Sequence, residues 1–354
     1  NKIFLITGAA GSIGSEIAKH LVKYKYKQLI LVDQAESDLY DLQQYFVNKN
    51  KINITAIVAD VRNYNRMNLI FEQYQPNIIY HAAAYKHVPL MEGNPYEAVF
   101  VNIEGTKNIA DLAISYKVEK FVMISTDKAV NPTNVMGATK RVAEMYINSC
   151  NNKGNTKFIT TRFGNVLGSN GSVIPLFKEQ IKYGGPLTVT HKEITRFFMT
   201  IPEACQLVLE ASCMGNGGEI FVFDMGESVK IYDLALNMIR LSGLKYPEDI
   251  DIKIIGLRPG EKIYEEVLAN GENTINTYHP KIKIAKIRPI DFKAIHNKIV
   301  NLCNTNAINN KEQIVLNIKE IVPEYKSKNS IFEVLDKPEK LNGKIKKKIK
   351  INEN

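Results

Sequence analysis

The start of the fold is fixed by residues 2–33. A short apolar run at 2–7 leads directly into Thr7-Gly8-Ala9-Ala10-Gly11-Ser12-Ile13-Gly14, and helical patterning follows over 12–24. Glycines at 8, 11 and 14 let the backbone turn tightly and approach a ligand with no Cβ in the way. The start of the next helix offers unpaired N–H groups and a positive dipole end, the setting that receives a pyrophosphate. A tight turn with no ligand would look the same in isolation. Here, however, Asp33 follows Gly14 by 19 residues and closes a second apolar run, Gln28–Asp33. An acid there accepts hydrogen bonds from ribose hydroxyls and repels a 2′-phosphate. The unit predicts a bound dinucleotide, and NAD rather than NADP.

The alternation continues through the first half. Strand patterns fall at 54–59, 77–82, 120–125 and 157–163, and helical ones at 35–49, 63–74, 96–116 and 136–151. Continuous apolar strands separated by helices need crossovers, which gives a parallel sheet covered on both faces. This predicts a Rossmann-type, doubly wound α/β fold. After Gly164 the pattern degrades. Turn signals appear at Gly168–Gly171 and Gly184-Gly185-Pro186, with helices at 202–213, 231–241, 261–268, 292–303 and 311–321 and short strands at 187–190, 220–223 and 253–255. The predicted organisation is a dinucleotide-binding domain over 1–165, with later segments returning to its sheet. A smaller, mostly helical substrate lobe spans 166–325, and a Lys-rich tail 326–354.

Charge narrows the function classes. The formal charge is +9, but from Lys337 onward seven lysines stand against Glu339 and Glu353, a net +5 that leaves +4 for everything before it. A charge run of this kind is read as a solvated tail, so no nucleic-acid partner is expected. Cys150, Cys205, Cys213 and Cys303 are scattered, with no C-x-x-C pair and no histidine at metal-ligand spacing. They read as small buried hydrophobes of a reducing compartment, and no metal is expected. No stretch approaches the roughly 18 apolar residues of a membrane span. The chain opens at Asn1 directly in a strand pattern, from which a longer parent protein is expected.

The spacing G-x-x-G-x-x-G resembles the short-chain dehydrogenase/reductase superfamily. Asp60-Val61 matches the pair that meets adenine there. His81-Ala82-Ala83-Ala84 matches the segment lining the cofactor, and Asn102 lies in the helix that follows. In that superfamily a Tyr-x-x-x-Lys pair does acid–base work. This chain has Met136-x-x-x-Lys140, and a thioether cannot take a proton at neutral pH. The resemblance is most specific in His81–Glu92 and in Ser125-Thr126-Asp127-Lys128-Ala-Val-Asn-Pro-Thr-Asn-Val-Met136-Gly-Ala-Thr-Lys140-Arg141. Both are similar to the UDP-N-acetylglucosamine 4,6-dehydratases, and the Met form to their large, membrane-anchored branch in polysaccharide and protein-glycosylation pathways.

That resemblance implies a catalytic domain on the cytoplasmic side of a membrane, working as a homodimer through helices 96–116 and 136–151. It implies NAD held by Gly8, Gly11, Ser12, Ile13, Gly14, Asp33, Asp60, Val61, Ala82, Ala83, Ala84 and Lys140. Asp127 is the implied acid toward the C6 oxygen and Lys128 the base at C5. Thr126 is expected to relay the C4 hydroxyl proton in place of the missing Tyr. Implied contacts to the nucleotide sugar are Lys86, His87, Asn165, Ser172, Val173, Arg196, Arg258 and Glu261, the last two before an expected helix start. The C5 configuration would be retained. A UDP-sugar 4-epimerase and a non-catalytic NAD-binding regulator remain as alternatives. An epimerase has no use for an acid–base pair aimed at C5 and C6. A regulator has no need of phosphate-type arginines.

Overall fold

A computed structural model describes residues 1–268, 273–286, 290–304 and 310–336. The expected Lys-rich run from Lys337 lies outside them. Strands β1 (Ile3–Thr7), β2 (Gln28–Asp33), β3 (Ile54–Val58), β4 (Ile78–His81), β5 (Lys120–Thr126) and β6 (Lys157–Phe163) are parallel, in the order β6-β5-β4-β1-β2-β3. Among the described residues the sheet has nine strands. Ile220–Phe223 extends it in parallel beyond β6, and Ile282–Ala285 and Thr274–Asn276 close that edge antiparallel.

The strands read as unbroken apolar runs because both sheet faces are buried. In β2, Ile30 and Val32 enter one core with Leu5, Ile79 and Phe121. Leu29 and Leu31 enter the opposite core with Ile6, Tyr80 and Val122. Helices α1 (Ser12–Leu21), α2 (Glu36–Asn48) and the segment Ile201–Met214 cover the second face. Helices α3 (Tyr64–Tyr74), α4 (Val88–Gly93), α5 (Pro95–Val99), α6 (Thr106–Ser115) and α7 (Val135–Cys150) lie with the first core. The strand order reverses between the parallel β1 and β4, where Thr7 pairs with His81, and a cleft opens outside their carboxyl ends.

Four expectations need correction. The single helix expected at 96–116 is split by a π-helical turn, Phe100–Gly105, which turns Asn102 onto the loop after β4. No helix forms over 261–268, because the Ile263 carbonyl is taken by the Thr195 N–H at 3.1 Å and by Arg196 at 3.2 Å. The helices Phe292–Asn304 and Lys311–Ile321, expected with the substrate lobe, instead pack on α7. All of α7 but Arg141, Met145 and Asn148 is buried within the chain. Finally, residues 326–336 are not loose. Lys326 and Lys328 donate backbone hydrogen bonds to Pro132 and Thr133, and Phe332 and Leu335 are buried.

Candidate active site

The glycine turn after β1 is shaped by close packing. Gly8 has φ +68°, and a Cβ there would lie 2.5 Å from the Ala83 nitrogen. One on Gly14 would lie 2.1 Å from the Gly8 carbonyl oxygen. Gly11 differs: only that same carbonyl comes near, at 3.3 Å, so its backbone is bare toward the cleft. The Asp33 carboxylate is fixed by the N–H groups of Ala10 (2.9 Å) and Ala35 (3.0 Å), and it lines the cleft. Asp60 accepts from the Arg62 backbone and guanidinium at 2.9 and 2.8 Å. Burial pushes its pKa up, but Arg62 outweighs this and holds the carboxyl below its ordinary range.

Gly8, Gly11, Asp33, Asp60, Val61, Ala82, Ala83 and Ala84 all line this one cleft. An exposed glycine backbone at a helix start and an acid at the end of the second strand fit a dinucleotide. Ser12 and Ile13 open α1. The Ser12 hydroxyl accepts from the Asn170 N–H at 3.2 Å, which ties the second half of the chain to the turn. Asn170 and Tyr85, absent from the expected cofactor contacts, also line the cleft. Asn102 holds the Tyr85 segment, accepting from its N–H at 2.8 Å and donating to its carbonyl at 3.1 Å.

The second centre begins at the end of β5, where Asp127–Ala129 forms a 3₁₀ turn. Gly137 allows α7 to press against that turn, since a Cβ there would lie 2.1 Å from the Lys128 carbonyl oxygen. Asp127 is fully buried. Its Oδ1 accepts from the Thr126 hydroxyl at 2.8 Å and from Lys128 Nζ at 3.0 Å. Its Oδ2 is buried without a hydrogen-bond partner. Lys128 Nζ also donates to Asn165 Oδ1 at 3.3 Å and lies 3.6 Å from Glu265 Oε1. A base at C5 calls for a lowered lysine pKa, and the shift runs the other way. Burial pulls it down, but the Asp127 and Glu265 carboxylates outweigh burial and raise it. The two carboxylates thus favour the ammonium form.

Lys140, one helical turn past Met136, is buried and donates to the Ile124 carbonyl at 2.8 Å. Burial brings its pKa down to about 8, against the opposing pull of Glu144. Met136 is buried in the core. Beneath the turn, Glu144 accepts from Ser125 at 2.7 Å and from the fully buried Arg162 at 2.8 Å.

Arg196 ties the centre to the predicted phosphate contacts. Its guanidinium lies 3.4 Å from Glu261 Oε1 and 3.7 Å from Glu265 Oε1. Glu261 also holds Arg258 at 3.2 Å, so one carboxylate bridges two arginines. Arg196 is nearly buried, whereas Arg258 is half exposed. Thr126, Asp127, Lys128, Asn165, Arg196, Arg258 and Glu261 thus form one connected cluster. Lys86 and His87 make a second grouping. The His87 ring covers Gly171, next to Ser172 and Val173 at the start of α8 (Val173–Lys182). The Ser172 hydroxyl is buried without a partner.

Glu265 is the cluster member missed by sequence reasoning. Its spacing of four from Glu261 reads as one face of a surface helix. The segment is bent rather than helical, and both acids turn toward Arg196.

Comparison with known proteins agrees with this architecture. Residues 4–287 match the polysaccharide biosynthesis protein family. The capsular polysaccharide biosynthesis protein CapD of Staphylococcus aureus is 55% identical over 81% of this chain, which spans only 48% of that protein. A UDP-N-acetylglucosamine 4,6-dehydratase (inverting) of Campylobacter jejuni is 36% identical over 77% of this chain and 79% of its own length. A UDP-glucose 4-epimerase of Rickettsia rickettsii matches at the same identity and the same coverage. The chain belongs to the polysaccharide biosynthesis protein family, among the nucleotide-sugar 4,6-dehydratases and 4-epimerases of the short-chain dehydrogenase/reductase type.

Proposed function

We propose that the chain is an NAD-dependent 4,6-dehydratase acting on UDP-N-acetylglucosamine, with the C5 configuration retained. One observation carries this reading: a buried carboxyl–amine couple, Asp127–Lys128, whose second carboxylate oxygen has no partner, at the carboxyl end of β5. NAD, when bound, supplies the acceptor and later the donor of one hydride. The chain's own groups handle protons. Thr126, bonded to Asp127, passes the C4 hydroxyl proton to that carboxylate. Asp127 gives it to the C6 oxygen as water departs. Lys128 takes the C5 proton and returns it to the same face, so its gain and loss balance. Asn165 sets the direction of the amine. Arg196 and Arg258, bridged by Glu261, suit a diphosphate, since a guanidinium fork matches phosphate oxygens.

A 4-epimerase is the second reading, favoured by the Rickettsia relative. It would leave the Asp127–Lys128 couple without work at C5 and C6. Incubation with UDP-N-acetylglucosamine in heavy water separates the two. A dehydratase yields a product lighter by one water with deuterium at C5. An epimer keeps its mass and its C5 proton, and that outcome would sink the proposal.

A further inference from the structure

A base at C5 needs a free amine, yet the Asp127 and Glu265 carboxyl groups, 3.0 and 3.6 Å from Lys128 Nζ, favour its ammonium form. Asp127 cannot relieve it, because its Oδ1 is shared with Thr126 and its free oxygen is assigned to the C6 hydroxyl. Glu265 has no role in the steps above. Its side chain is about as buried as any acid in the cluster except Asp127, at 4% exposure. Oε1 faces Lys128 Nζ at 3.6 Å and Arg196 Nε at 3.7 Å, and Oε2 is buried with no hydrogen-bond partner. Arg196 is already held by the carbonyls of Thr195 and Ile263 and by Glu261, so Glu265 is not needed to anchor it.

Resting on the dehydratase reading, we infer that Glu265 is a positioning residue that accepts the ammonium proton of Lys128, so that a free amine meets the C5 proton. An N–H bond of Lys128 breaks and an O–H bond forms on Glu265. The pair keeps its net charge, so no charge is created in the buried site. When Lys128 has returned the C5 proton, Glu265 gives its own proton back and both groups reset. Burial is the largest influence on the Glu265 carboxyl and raises its pKa. Asp127 adds to this, and Lys128, Arg196 and Lys262 oppose it without prevailing. A carboxyl raised in this way holds a proton more readily than an ordinary glutamate.

The test is Glu265→Gln, which keeps the shape and removes the proton acceptor. Wild-type kcat should be flat with pH through neutrality. In the variant, Lys128 must release its proton to solvent. Its kcat should therefore become pH-dependent, climbing by up to about tenfold per pH unit through neutrality where wild type is flat, with KM within about twofold. Glu265→Asp, an acid on a shorter arm, should restore the flat profile. Infrared titration of the ligand-free chain gives a readout independent of turnover. The wild-type intensity of protonated-carboxyl bands titrating above the ordinary glutamate range should drop by one carboxyl in E265Q, with those of Glu92 and Glu104 remaining. Wild-type kcat with a flat profile in E265Q would overturn the inference. If E265Q does not fold, a wild-type intensity no greater than Glu92 and Glu104 account for would overturn it instead. Lys128→Ala with full turnover would mean something different: the dehydratase reading itself has failed.

Discussion

The dinucleotide turn and the charged cluster above it are built on opposite plans. The turn is made by backbone packed to contact, and the Asp33 oxygens are met by local N–H groups. The cluster joins residues from 126 to 265. It brings Asp127, Lys128, Arg196, Glu261 and Glu265 together and leaves two carboxylate oxygens without partners. Buried polar atoms normally find hydrogen bonds, and the exceptions gather where a ligand completes them. The first region is therefore finished on folding, and the second is held open for chemistry.

Four measurements would sharpen or break that contrast. The largest effect is expected from Lys128→Ala. Turnover should fall by about 10²- to 10⁴-fold while NAD affinity, measured by calorimetry, stays put. Equal loss of NAD binding would mean that the two regions are not separable. Next, Gly14→Ala forces a Cβ against the Gly8 carbonyl. It should cost about 1–3 kcal/mol in denaturant unfolding and weaken NAD binding along with it.

Acid should act on the finished region through His81. Its ring is fully buried, with Nδ1 at 2.7 Å from the Thr7 hydroxyl and Nε2 at 2.9 Å from that of Thr106. Thr106 donates to the Asn102 carbonyl, so it accepts from Nε2–H, and Nδ1 is left to accept from Thr7. Burial, helped by Lys140, lowers the His81 pKa to about 3. Below its unfolded pKa of about 6.5 only the unfolded state takes the proton. The stability that His81 contributes is complete above that value and is lost as pH falls from there toward 3. The loss is about 1.4 kcal/mol per pH unit, read from urea midpoints at pH 6.5 and 4.5 and removed in a His81→Asn variant. The smallest effect belongs to Arg258→Ala. This side chain is half exposed and its pairing with Glu261 is screened, so KM should rise about three- to tenfold with kcat unchanged.

The same contrast explains what could be read in advance. The turn, Asp33 and the parallel strands are encoded within short stretches by apolar runs and glycine spacing. Thr126, Asp127 and Lys128 are legible because they are consecutive at a strand end. Glu265 was not, because its meaning comes from a bent, non-helical backbone whose carbonyl at Ile263 is captured by Thr195 and Arg196. Nor was the break at Phe100–Gly105. Hydrophobic period continues through a π turn, and only the need to clamp Tyr85 distinguishes it. The upward shift at Lys128 was hidden for the same reason as Glu265: the second carboxylate that causes it is 137 residues away.

The two helices packed on α7 begin at Phe292, beyond the last residue of the family match, 287. Through Ile295, Ile299, Ile314 and Ile318 they cover the flank of α7. An expression boundary drawn at 287 would strip that shield and leave a greasy flank on α7. Such a trimmed protein should self-associate or precipitate more readily than one extended through Asp336.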